Sequence, residues 1–264
     1  MRSTRARGRA LAAHANTRRL RTLLVALLCA LSLTAVACGS DDEDSDSNGS
    51  GGGAAQVPPE PTAEAPEPAP EERQRNERGC QDVAQPEPRP DGGAKRPSGP
   101  LDPDTTYVVT LSTSCGEVGI RLDQRTSPKT AASFAHLART GFYDGTVFHR
   151  IVPGFVIQGG DPTGTGTGGP GYTTRDVPPR NATYLKGTVA MAKSAVEPPG
   201  TAGSQFYIVT APDAQLPPEY ALLGKVVKGQ RVVDEIGQLG DPASGGAGAP
   251  LQTVVIEGAE VSER

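Results

Sequence analysis

The side chains of this 264-residue chain that could do chemistry crowd into two runs: residues 143–160, which hold His149, Arg150 and Gln158, and a stretch around Gln205 and Tyr207. His149 has neither a carboxylate partner nor a metal-ligand spacing around it, so it reads as a structural hydrogen-bonding residue near a site rather than an acid-base catalyst. His136 reads as surface or core filler. Arg150 is a permanently charged, rigid fork of N–H donors; alone, such a residue is usually a surface ion-pair partner. Residues 164–169 fit G-x-G-x-x-G, but Pro170-Gly171 follows where a dinucleotide site needs a helix. Asn181-Ala182-Thr183 is a formal glycosylation sequon, whose meaning depends on the organism.

The elements that must position these residues are mostly strands. Residues 106–112 and 117–122 alternate around Cys115-Gly116 as a hairpin-like pair. Ser127 before Pro128 predicts an N-cap and first helical residue, with Phe134, Leu137 and Ala138 on one face before Gly141 ends the helix. Further strands are predicted at 147–152, 155–158, 189–193, 206–209, 221–226 and 253–258, and a second helix at 230–239.

Only 4% of the chain is aromatic and tryptophan is absent, yet all eleven aromatics lie between Tyr107 and Tyr220. The first 106 residues therefore cannot bury much, and a foldable part follows them. Residues 1–37 hold seven arginines and no acid, 39–100 hold 14 acids against 6 bases, and 101–264 hold 16 against 13. This balance, with no basic patch laced with aromatics, excludes nucleic acid as a partner.

The arginine-rich start and the apolar run from Leu23 to Ala37 have the layout of a secretory signal, too short for a comfortable membrane span. The run ends Ala35-Val36-Ala37-Cys38-Gly39, which resembles the lipobox of bacterial lipoproteins, with Ala35 where leucine is usual. That resemblance makes Cys38 the lipidated first residue of the mature chain, anchored on the extracytoplasmic face of the cell membrane. Arg21 departs from a twin-arginine signal, which favours Sec export. Residues 38–100, rich in Asp, Glu, Gly, Ser and 11 prolines, are expected to be a disordered tether. As a flexible chain it would span roughly 45 Å. With Cys29 in the leader and Cys38 on the lipid, Cys80 and Cys115 remain, and two thiols in an exported protein suggest one disulfide. The expected organisation is thus 1–37 leader, 38–100 tether and 101–264 folded domain.

The run from Tyr143 to Gly160 resembles the cyclophilin signature at every specified position. Residues 187–192 (GTVAMA) and 203–208 (GSQFYI) are similar to that family's second active-site block, and Leu223-Gly224-Lys225-Val226 to its following strand. The resemblance spans roughly 105 to 260. It implies a mainly β fold, a closed eight-stranded antiparallel barrel capped by two α-helices. It further implies peptidyl-prolyl cis/trans isomerase activity without cofactor or metal, on proline-containing peptides and unfolded or exported proteins. A monomer is expected.

The reaction suits such residues. An X-Pro amide holds its isomers within about 0.5–1 kcal/mol, but rotation crosses a barrier near 18–20 kcal/mol. A donor that favours the twisted amide, whose nitrogen regains its lone pair, together with a pocket for the ring, is sufficient. By resemblance Arg150 is the catalytic donor. Phe155, Val156, Tyr207, Leu216 and Tyr220 line the proline site, His149, Gln158 and Gln205 contact substrate, and Ala192, Lys193 and Ser194 pair with the bound peptide.

Several positions depart from the commonest pattern. Val156 stands where methionine is usual, Lys193 where asparagine is usual, Gln215 where tryptophan is often found and Tyr220 where histidine is often found. The loop between Ala195 and Gly203 is about three residues longer than usual. Val156, Lys193 and the longer loop motivate another reading, a peptide-binding holdase that isomerises poorly; a third reading is an envelope scaffold in which the acidic tether binds cations or a basic partner.

Overall fold

A computed structural model describes residues 79–264. The leader, Cys38 and the tether up to residue 78 lie outside the described residues. In chain order the strands are β1 (Tyr107–Thr113), β2 (Gly116–Leu122), β3 (Thr146–Val147), β4 (Arg150–Val152), β5 (Val156–Gly159), β6 (Thr174–Arg175), β7 (Thr188–Met191), β8 (Thr201–Ala202), β9 (Phe206–Val209), β10 (Leu222–Lys228) and β11 (Val255–Glu263). Two helices join them, α1 (Pro128–Arg139) and α2 (Gln230–Gly237), with a 3-10 segment at Pro242–Ala247.

The alternation expected at 106–112 is present: β1 buries every second residue and pairs with β2 through the turn at Ser114-Cys115-Gly116. Nine strands form one sheet in the order β3-β11-β1-β2-β10-β7-β9-β5-β4, and β6 pairs with β8 separately. This corrects the expected closed eight-stranded barrel. The sheet is an open half-barrel, because its two edges, β3 and β4, pair only with β11 and β5. Those edges are nevertheless consecutive in sequence. Val147 and Arg150 are three residues apart, a reach of at most about 11 Å, so the sheet curls until its edges nearly meet. Phe148 and His149 cross the seam, and an isolated bridge joins Val147 to Asp161 there.

Inside the curl lie Phe134, Tyr143, Phe148 and Phe206, whose rings meet at 4.7–6.1 Å, mostly edge to face. Helix α1 begins at Pro128 as expected and buries Phe134, Leu137 and Ala138. The Ser127 side chain does not cap it, however: its hydroxyl is buried without a partner among the described residues, and Asp176 Oδ2 accepts from Thr130 N–H at 2.7 Å instead. Helix α2 stops at Gly237, two residues earlier than expected. It starts from Gly229 at φ +80°, where a Cβ would lie 2.0 Å from Glu117 O, so only glycine fits that turn.

Residues 79–100, expected to be part of the tether, instead follow the domain as an extended strap. Cys80 is buried and disulfide-bonded to Cys115, and Gln81 N–H donates to Ser114 O at 2.8 Å. The strap needs no core of its own, because it borrows backbone partners from residues 161–173: Arg89 N–H donates to Pro162 O and Gly92 N–H to Gly169 O, both at 2.9 Å.

Candidate active site

Strand register puts the site together. Arg150 on β4 faces Gln158 on β5, Gln158 faces Tyr207 on β9, and Tyr207 faces Ala190 on β7. Directly opposed residues share a sheet face, and Phe206 and Ile208, the neighbours of Tyr207, point into the main core instead. On the outer face Val156, Tyr207, Ala190 and Tyr184 are buried, with Phe155, Leu216 and Tyr220 half-buried around them. The structure thus brings the five expected pocket residues into one apolar patch.

The Arg150 guanidinium lies at its edge, 5.9 Å from the Phe155 ring centroid. Nε and Nη2 donate to Gly246 O at 3.2 and 3.1 Å, and Nη1 to Gln158 Oε1 at 3.4 Å. Gln158 Nε2 donates to Gln205 Oε1 at 3.1 Å, and Gln205 Nε2 donates to Gly168 O at 2.8 Å. Each amide acts as acceptor on one side and donor on the other, so the chain runs in one direction and fixes both glutamines. Among the described residues three of the five guanidinium N–H groups are engaged, leaving one on Nη1 and one on Nη2 for a ligand. Burial pulls the guanidinium below its ordinary value while Tyr220 opposes this; the group stays charged near neutrality.

Tyr184, absent from the sequence-based site, fixes one wall. Its hydroxyl donates to Tyr220 O at 2.8 Å and accepts from Tyr220 N–H at 3.0 Å, which holds Tyr220 edge-on to Tyr207 at 5.6 Å. No motif marked this residue; only the outward face it shares with Tyr207 reveals it. Gly246 was missed likewise, since a carbonyl in a glycine-rich segment leaves no sequence signal.

Lys193 is used locally. Its side chain is 3% exposed, Nζ lies 3.2 Å from Glu219 Oε2, and it also donates to Ser194 O and Glu197 O. It therefore ties down the long loop. Ala192 N–H goes to Gln205 O and Ser194 N–H to Glu197 Oε2, so of the three expected peptide-pairing residues, Lys193 offers the uncommitted backbone N–H among the described residues. Gln215 is exposed beside Leu216 at φ +51°. His149 is set apart: it faces a separate cleft with Gln85, Gly164 and Pro250, and both its ring nitrogens are buried without a partner among the described residues.

Residues 108–261, more than half of the chain, match the family model described as cyclophilin type peptidyl-prolyl cis-trans isomerase/CLD. The chain is a cyclophilin-type peptidyl-prolyl cis-trans isomerase. It is 40% identical over 174 residues to peptidyl-prolyl cis-trans isomerase B of Streptomyces anulatus, covering 59% of this chain and 97% of that one. It is 37% identical over 159 residues to peptidyl-prolyl cis-trans isomerase-like 2 of Cryptococcus neoformans, where 58% of this chain matches only 27% of the longer relative. Among solved structures, a Cryptosporidium parvum cyclophilin superposes with a TM-score of 0.54 at 30% identity, over 60% of this chain and 99% of that one. The cyclophilin domain is thus matched almost end to end by compact relatives, and the strap and leader lie outside the family match.

For this cyclophilin the arrangement has a direct chemical reading: a charged donor at the lip of an apolar patch, oriented by neutral amides, and a neighbouring backbone edge. No nucleophile or relay base is needed for rotation about an amide bond.

Proposed function

We propose that Arg150 is the catalytic group of this cyclophilin and that Phe155, Val156, Tyr207, Leu216 and Tyr220 hold the prolyl ring. The observation that carries this is the one-directional chain from Arg150 through Gln158 and Gln205 to Gly168 O, beside the apolar patch. As the amide twists, its nitrogen becomes a lone-pair acceptor, and a donor aimed at that atom stabilises the transition state more than the planar ground state. Two unspent N–H groups on a fixed guanidinium meet the requirement, and the peptide on the other side of the bond pairs with Lys193 N–H. Each 1.36 kcal/mol of such preference is a tenfold rate.

The test follows cis-to-trans conversion of a short X-Pro peptide with the full chain and with Arg150→Ala. Acceleration by the wild type and loss of about 10²-fold or more in the variant are expected. No acceleration would favour the holdase reading, and an equally active variant would remove Arg150 from the mechanism.

We further propose that the enzyme is an exported lipoprotein, anchored through Cys38, that assists folding of exported proline-containing proteins. The basic apolar leader and the residues before Cys38 support this, as does the Cys80–Cys115 disulfide, a bond that persists in oxidising compartments. Intact mass and detergent partition of the wild type and Cys38→Ala test it; identical partition overturns the anchor.

A further inference from the structure

Residues 79–97 lie in the low-aromatic, proline-rich stretch whose composition suits a spacer, yet they contact the loop that ends the hydrogen-bond chain behind Arg150. Asp91 Oδ1 accepts from Gly169 N–H at 2.7 Å, Gly92 N–H donates to Gly169 O at 2.9 Å, and Ala94 N–H donates to Pro170 O at 3.1 Å. Arg96 Nη1 donates to Thr173 O at 3.0 Å, with its guanidinium 4.9 Å from the Tyr172 ring centroid. The approach is tight at Gly171: a Cβ there, at φ +86°, would lie 3.0 Å from Gly92 Cα. Gly168, whose carbonyl accepts from Gln205, directly precedes the residue that Asp91 holds. Asp161 pins the same loop from inside, accepting from Thr163, Gly166 and Gly168 N–H.

The strap also reaches the substrate side. A cavity of about 590 Å³ beside the prolyl patch is lined by Gln158, Gln205, Ala192 and Ser194, and its far wall includes Asp91 and Arg96. Asp91 and Arg96 thus line this cavity together with Gly169 and Thr173, the residues that they hold.

We propose that the strap is a working part of the active site: Asp91 and Arg96 hold loop 161–173 so that Gly168 O orients Gln205, and through Gln158 the Arg150 fork, while walling the cavity that takes peptide flanking the X-Pro bond. This rests on the assignment of Arg150 as the catalytic group. Asp91 and Arg96 are positioning residues, and Cys80–Cys115 secures the strap's start. The strap lies outside residues 108–261, the stretch that matches the family model.

The experiment is a double-mutant cycle in the full chain, since only coupling energy distinguishes a working connection from proximity. Asp91→Ala is expected to lower kcat/KM about three- to tenfold, as loss of a hydrogen bond to a charged acceptor allows. Asp91→Asn keeps Oδ1 as acceptor and recovers most of that loss. In a Gln205→Ala background, Asp91→Ala causes a clearly smaller loss, since only its part in walling the cavity remains to be removed. If Asp91→Ala fails to fold, Arg96→Ala, which frees Thr173 at the other end of the loop, takes its place with the same expected pattern. A wild-type rate in the tested variant, or an equal loss with and without Gln205, overturns the proposal. Arg150→Ala run alongside separates the two readings: if it is inactive while the strap variants are unaffected, only the strap's role fails; if it is fully active, the assignment of Arg150 fails.

Discussion

Arg150 and Gln158 stand directly opposite one another on adjacent antiparallel strands, with Arg150 Nη1 3.4 Å from Gln158 Oε1. The acceptor is neutral, so it orients the guanidinium without neutralising it. Gln158→Glu would place a carboxylate at the same point, forming a pair that draws the fork off the substrate and loses the donor to Gln205. A fall in kcat/KM of about tenfold or more is expected, against a few-fold for Gln158→Leu. Equal rates for Gln158→Glu and wild type in the peptide assay would contradict the orienting role.

Arg150→Lys tests geometry apart from charge. Lysine keeps the positive charge, but its three donors sit on one nitrogen and cannot serve Gly246, Gln158 and a substrate nitrogen from fixed directions. Turnover is expected to drop about 10²-fold, nearly as far as in Arg150→Ala. A lysine variant within twofold of wild type would show that charge alone suffices.

Tyr207 shares its patch with Tyr184 and Tyr220, but unlike the Tyr184 hydroxyl its own is buried and without a partner among the described residues. Burial, reinforced by Tyr184 and Tyr220, pushes the phenol far above its ordinary value, so it is neutral throughout the working range. An unsatisfied buried hydroxyl costs roughly 1–3 kcal/mol. Tyr207→Phe should therefore raise the urea unfolding free energy by about 1 kcal/mol with isomerase activity preserved, since the ring and its contacts stay. A destabilised variant would show that the hydroxyl has a partner.

The site was legible in sequence because residues 143–160, 187–192 and 203–208 resemble the cyclophilin signature. The register then shows how those runs meet, with Gln158 and Tyr207 opposed on one face and Ile157 and Ile208 on the other. Contacts made across long separations were not legible. Asp176 caps α1 from 46 residues away, a role assigned in sequence to adjacent Ser127. Edge pairing decides whether a curled sheet closes, and β3 and β4 are too short to advertise it. The strap was hidden for a different reason: its composition rules out a core, but not docking through a disulfide and borrowed backbone partners.

Breaking that disulfide should be felt mainly as stability. Cys80 and Cys115 are 35 residues apart, and releasing a loop of that size costs about 2–4 kcal/mol through the freedom restored to the unfolded chain. Cys80→Ser/Cys115→Ser is expected to unfold at lower urea than the oxidised wild type, and the reduced wild type should match it. Coincident curves for oxidised and reduced protein would mean that the bond is not formed in solution.

Stability should also fall in mildly acid solution because of His149. Burial holds its imidazole below the ordinary value, with Asp161 opposing and Arg150 adding to the effect, so the folded protein keeps it neutral. As pH drops through about 6.5 the unfolded chain binds a proton that the folded chain refuses, and stability declines until the lower folded value is reached. Asp161 acts in a separate window. Burial raises its carboxyl, but donors from Thr163, Gly168 and Gly166 outweigh that and hold it below its ordinary value. The stability Asp161 contributes is present above the unfolded value of about 3.9 and lost only as pH falls further, through its folded value. Unfolding midpoints measured between pH 7 and 4.5 therefore isolate the imidazole. The wild type is expected to lose stability across this range and His149→Gln to lose less, while kcat/KM of the folded enzyme stays level because Arg150 does not titrate there. A midpoint that is flat from pH 7 to 4.5 would mean that His149 takes its proton equally in both states, which its burial beside Arg150 does not allow.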